Sequence, residues 1–111
     1  MLAVRHGHAS VVEVLLEHGA SVDEGHSYEG GDDAFPLSVA VSNQSIPMAK
    51  LLLQHGANVD NQRMFRQRSP LMIAAFRGDL DMINLLLERG ATIDLQETDN
   101  NTALWFAVRD I

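Results

Sequence analysis

The same residue types return in register along this chain, and that recurrence restricts its fold more than any other feature. Leu37, Leu71 and Leu104 are spaced by 34 and 33 residues, and Ala3, Ala40, Ala74 and Ala107 by 37, 34 and 33. Gly-Ala pairs begin at Gly19, Gly56 and Gly90, again 37 and 34 apart. A period of about 33 residues is too short for a domain and fits one supersecondary unit, so the units must bury their apolar faces against one another.

The best-formed copy runs from Ser69 to Asp94. Ser69 is placed to cap a helix that opens at Pro70, where a missing N–H costs nothing. Leu71, Ala74 and Ala75 follow at i, i+3 and i+4, the apolar face of a two-turn helix. Gly78 breaks it, and Asp79 offers a second N-cap. Leu80, Met82, Ile83, Leu85, Leu86 and Leu87 then give a second helix a wide apolar face, ended by Gly90. On these residues the chain resembles the ankyrin-repeat family. Ser69-Pro70-Leu71 matches that family's opening Thr-Pro-Leu, Ala74-Ala75 its inner-helix alanines, and Leu85-Leu86-Leu87 with Gly90-Ala91 its outer-helix ending. The resemblance covers essentially the whole chain. It implies an all-α solenoid of stacked helix-turn-helix units with β-turn or hairpin finger loops.

In that register residues 1–33 are a partial first repeat with a long acidic finger, 34–60 the second repeat, 61–94 the third, and 95–111 a truncated fourth. The first outer helix is expected to bury Val11, Val12, Val14, Leu15 and Leu16. The first finger, Asp23 to Asp33, carries Asp23, Glu24, Glu29, Asp32 and Asp33 among three glycines. In the second repeat Pro36 opens the inner helix, Ser45 caps the outer one, and Pro47 sits in its first turn. Both ends cut through repeat units and neither looks like a polar cap, which suggests a piece of a longer array. Trp105 and Phe106 are expected to lie uncovered. The family's His after Thr-Pro-Leu is replaced by Ser38, Met72 and Trp105, so its polar link to the Thr should be missing. The family's turn Gly is replaced by Asp33, Gln67 and Asn100. Gln adopts a left-handed conformation poorly, and the second finger also has one residue more, so that finger should deviate most from a regular hairpin.

Composition narrows the function. A net charge of −7 opposes non-specific nucleic-acid binding, which needs a basic footprint. The absence of cysteine removes disulfides and thiolate metal sites. No run of about 18 apolar residues is available to span a membrane, and no secretory signal is visible, which favours an intracellular setting. His18 and His55 occupy one repeat position on a solvated rim, one repeat apart and too far to share a metal. No phosphate loop, nucleophile elbow or paired carboxylates stand out, so neither catalysis nor a cofactor nor a small-molecule substrate is expected.

Binding of another protein remains. The resemblance implies contacts from finger tips and from the exposed ends of inner helices. Those positions are Gly31, Asp32, Ala34, Ser42 and Asn43 in the second repeat, and Phe65, Arg66, Arg68, Phe76 and Arg77 in the third. In the fourth they are Thr98, Asp99, Asn101, Arg109 and Asp110. An acidic finger, a basic-aromatic finger and a second acidic finger would then lie side by side. Phe65 and Phe76 among arginines have the composition of a binding hot spot, suited to an acidic or phosphorylated segment of a partner. Two structural alternatives stand beside this reading. Phe76 could pack under the adjacent finger, and the arginines could merely neutralise the acidic fingers. The runner-up function is a regulatory or substrate-recruiting segment of a larger enzyme or channel, such as a ubiquitin-ligase receptor or kinase.

Overall fold

Among the described residues six α-helices alternate between two rows. They are α1 (Ala9–Glu17), α2 (Pro36–Ser42), α3 (Ile46–Gln54), α4 (Pro70–Arg77), α5 (Leu80–Glu88) and α6 (Ala103–Arg109). A computed structural model describes residues 8–27 and 33–109, without the side chains of His26, Ser27, Asp33 and Phe65. The expectations for Ala3, Glu29, Gly31, Asp32 and Asp110 fall outside the described residues. The inner row is α2, α4 and α6, and the outer row is α1, α3 and α5. Each helix packs on its neighbours in the row, and α2 pairs with α3 as α4 does with α5. A two-residue antiparallel pair, β1 (His26–Ser27) and β2 (Asp33–Ala34), closes the base of the first finger.

The repeats are equivalent at the level of single hydrogen bonds. The outer helices end in the same way: the N–H groups of Ala20, Ala57 and Ala91 each donate at 3.0 Å to the carbonyls of Leu15, Leu52 and Leu86. Each closure needs a left-handed residue just before it, supplied by Gly19, Gly56 and Gly90 at φ 93°, 90° and 88°. Between inner and outer helices Gly78 takes that conformation at φ 66° and Gln44 at φ 58°. The following Asp79 and Ser45 N–H groups reach back to Ala74 and Ala40 at 3.0 and 2.9 Å. Ser69 Oγ accepts from the Met72 N–H at 3.4 Å, and Asp79 Oδ1 from Met82 N–H at 3.2 Å, so both caps form as expected. Ser45 stands at the N-cap of α3 without a side-chain bond.

Leu37, Ala40 and Val41, then Leu71, Ala74 and Ala75, form the inner face, with Met48, Ala49 and Leu52 and Met82, Leu85 and Leu86 opposite them. The burial expected of five residues is corrected. Val11, Val14 and Leu15 are about half exposed, and only Val12 of α1 is buried. Their repeat equivalents Met48 and Leu52 are buried where α2 covers α3, whereas among the described helices α1 packs mainly on α3. Leu80 is 67% exposed because Asp79 caps the helix immediately before it. At 3.6 residues per turn it therefore lies roughly 200° around from Met82. Phe106 is 1% exposed, lying back against α4, and needs no later helix to cover it; Trp105 beside it stays partly open.

The polar link at the start of the inner helices is also not wholly lost. Phe35 N–H donates to Ser38 Oγ at 3.0 Å, and the Ser38 hydroxyl donates to Phe35 C=O at 2.7 Å. Ser38, buried in α2, thus serves the helix entry from inside its first turn. In the third repeat the Met72 sulfur takes the corresponding place, accepting from Ser69 N–H at 3.4 Å.

Candidate partner-binding face

The loops between repeats stand side by side because each is tied to the next. Asn58 N–H donates to both Asp23 carboxylate oxygens at 3.1 Å. One repeat on, Asp60 accepts from Thr92 N–H at 2.8 Å and from its hydroxyl at 2.7 Å. Gln62 Nε2 donates to Gln96 C=O at 2.8 Å and to Gln67 C=O at 3.0 Å, and Thr98 N–H donates to Arg66 C=O at 2.9 Å. Arg66 and Asp99 form an ion pair between the second and third fingers. The partners in these inter-finger links are 32 to 35 residues apart, the period seen in the sequence.

Inside the third finger Glu97 does what the sequence did not disclose. It is 4% exposed, and its Oε1 accepts from Asp99 N–H at 2.7 Å and Asn101 N–H at 3.1 Å. A carboxylate two and four residues before the N–H groups it binds was the available signal. It folds the finger around left-handed Asn100 at φ 66°. The second finger deviates as its sequence implied. A single 3-10 turn, Phe65–Gln67, holds two consecutive non-glycine residues in the left-handed region, Arg66 at φ 59° and Gln67 at φ 60°. Gln67 N–H donates to Met64 C=O at 2.8 Å across it.

Four of the sequence-selected residues come together beneath this finger. Ser42, Arg68, Phe76 and Arg77 surround a hollow of about 220 Å³ whose other walls are Met64, Met72, Ile73 and Phe106. The cations are laid on rings. The Arg68 guanidinium carbon stands 5.1 Å from the Phe106 centroid, and that of Arg109 stands 5.7 Å from Phe76 and 5.2 Å from Trp105. Trp105 and Phe106 meet edge to face at 5.1 Å. Phe76 remains 46% exposed, so it is not tucked beneath a finger. Arg77 is exposed at the end of α4 and makes no ion pair among the described residues.

The remaining candidates are spread out. Arg66 is drawn to Asp99, the neutralising role weighed for the arginines, while Arg68 turns inward over Phe106. Asn43 is exposed at the C-cap of α2, Ala34 is half-buried in β2, and Asn101 is half-buried with its N–H on Glu97. Asp32 lies outside the described residues, as does the side chain of Phe65. Met64, Ile73 and Phe106, which floor the hollow, were not singled out as binding residues: Met64 is a single apolar residue of the finger, Ile73 reads first as core, and Phe106 stands out only as an uncovered ring.

Two histidines have structural places. His18 and His55 donate from Nδ1 to Val14 C=O at 2.8 Å and Leu51 C=O at 3.0 Å, closing the last turns of α1 and α3. Among the described residues no group of three or more His, Cys, Asp or Glu could hold a metal ion. No described helix is long and apolar enough to cross a membrane.

Paired helices stacked in two rows, with loops tied edge to edge, define a repeat solenoid whose inner helices and fingers form one continuous surface. A family model of three ankyrin repeats matches residues 37–110, and a single ankyrin-repeat model matches residues 1–26. The chain belongs to the ankyrin-repeat family. Among solved structures it is similar to the ankyrin repeat domain of Bcl-3, described as a unique member of the IkappaB protein family, with 39% identity and a TM-score of 0.84. That likeness covers 95% of this chain but 44% of the Bcl-3 chain, so this chain spans less than half the length of its structural relative. No curated protein matches it by sequence. Ankyrin repeats are in general modules of protein–protein interaction, not catalysts.

Proposed function

We propose that this chain is a non-catalytic, intracellular protein-binding module that holds an acidic segment of a partner on its inner helices and fingers. The observation that carries the reading is the hollow between α2, α4 and α6. Arginines and aromatic rings gather there in a chain whose net charge is −7. Basic side chains concentrated at one place on an acidic surface attract an acidic partner there and repel it elsewhere. The planar fork of an arginine matches carboxylate or phosphate oxygens in geometry. A face built from packed helices and tied fingers needs little ordering on binding, which favours affinity. The same face would serve a free adaptor or a recruiting segment of a larger protein.

The test is calorimetric titration with acidic peptides, with and without phosphoserine, against the native chain and the variant R77E. Arg77 and the outer-face Lys50 are both exposed, so K50E is a control of equal charge change. Binding that falls about tenfold in R77E, and not in K50E, with unchanged helical circular dichroism, supports the reading. Equal binding by all three chains refutes it.

A further inference from the structure

Building on the proposed acidic-segment reading, we infer that the hollow takes one apolar side chain of that segment while a carboxylate beside it engages Arg77. Two observations lead there. The first is size. At about 220 Å³ the hollow falls short of the roughly 300–1,000 Å³ usual for a pocket that encloses a whole small molecule, and suits a single side chain. The second is the division of its walls. Met64, Met72, Ile73 and Phe106 supply an apolar floor, and exposed Arg77 lies at its edge. An anchor residue with flanking acids meets both at once, as the side chain leaves water and the charges stay at the rim.

The choice of carboxylate over phosphate also follows from the frame. Ser42 is the last residue of α2, and Phe76 and Arg77 are the last two of α4, so the rim is made from helix C-termini. Carbonyl ends carry partial negative charge, which holds arginines well but opposes a dianion more than a single carboxylate. Phosphate sites usually draw on N–H groups at helix N-termini, and this rim presents the opposite ends.

Three synthetic peptides test the inference: acetylated Asp-Glu-Leu-Glu-Asp amide, the same peptide with Ala for Leu, and a third with phosphoserine for both Glu. Binding is followed by the methyl resonances of Met64, Met72 and Ile73 in the full chain. The leucine peptide should shift those methyls, and its alanine counterpart should bind about tenfold more weakly. The variant S42W, which puts a ring at the rim, should weaken the leucine peptide more than the alanine peptide. Equal affinity for leucine and alanine peptides, or unmoved methyls on binding, overturns side-chain insertion while leaving acidic recognition standing. Tighter binding of the phosphoserine peptide overturns the choice of carboxylate. If no peptide binds the native chain, the acidic-segment reading falls and the inference falls with it.

Discussion

Removing the Phe106 ring tests whether the chain behaves as a row of modules or as one core. Phe106 is fully buried, with Arg68 over its face at 5.1 Å and Trp105 at its edge. Truncating a buried Phe to Ala costs about 3–5 kcal/mol. That is a large part of the roughly 5–15 kcal/mol that holds a typical domain together. In a single-centred fold the whole molecule would weaken by that amount. Here α6 rests on α4 at one end of the inner row, so the loss should be confined to α6 and the finger before it. The single tryptophan, Trp105, lies on α6 and reports its unfolding alone, while far-UV circular dichroism reports all helices. In F106A, with a urea dependence of about 2 kcal/mol per molar, the Trp105 midpoint should move down by roughly 2 M. The circular dichroism midpoint should move far less, and amide protection should persist in α2 to α5. F106L keeps apolar bulk without the ring and should recover most of the loss. Coincident shifts of both probes in F106A, with protection lost evenly across all helices, would refute a modular architecture.

Further tests address the fingers. Gln67 holds a left-handed backbone at φ 60°, which costs a side-chain-bearing residue roughly 1–2 kcal/mol. Glycine removes that strain but adds about 0.5–1 kcal/mol of unfolded-chain entropy, so Q67G should gain up to about 1 kcal/mol in urea unfolding. D60A severs both bonds to Thr92 and should cost about 1–2 kcal/mol. T92V, which keeps the N–H bond and loses the hydroxyl, should cost about half as much by the same measurement. The Arg66–Asp99 pair is 46% and 52% exposed, so R66A should cost less than about 1 kcal/mol at low salt. That difference should disappear in 1 M sodium chloride.

What the sequence disclosed and what it withheld separate along physical lines. Caps and breaks are local chemistry, and Ser69, Asp79 and Gly90 act where their types and spacing put them. In the second finger the expected reason fails: Gln67, where the family has glycine, takes the left-handed conformation at φ 60°, and the irregularity is the left-handed Arg66 before it. Burial is not local, and there the sequence misleads. Val11 and Leu15 are apolar like their buried repeat mates Met48 and Leu52, yet lie open according to what packs beside them. The hollow was half legible. Phe76, Arg77 and Arg68 drew attention as aromatics and cations, whereas Met64 and Phe106 became part of it only through the neighbouring repeats. Glu97 shows the limit most clearly, since its spacing from Asp99 and Asn101 hints at those bonds while its burial depends on the folded finger.

The ties between fingers bear on how such a chain finds its structure. Every one of them joins partners about one repeat apart, so the segment that must be closed to form any tie is of similar length. The entropy of ring closure depends on that length and only weakly so, and folding speed follows the mean separation of contacting residues. An array lengthened by further units would add closures of the same span and none longer. Its search for the native arrangement would therefore be paced by the spacing of neighbours and not by the total number of residues.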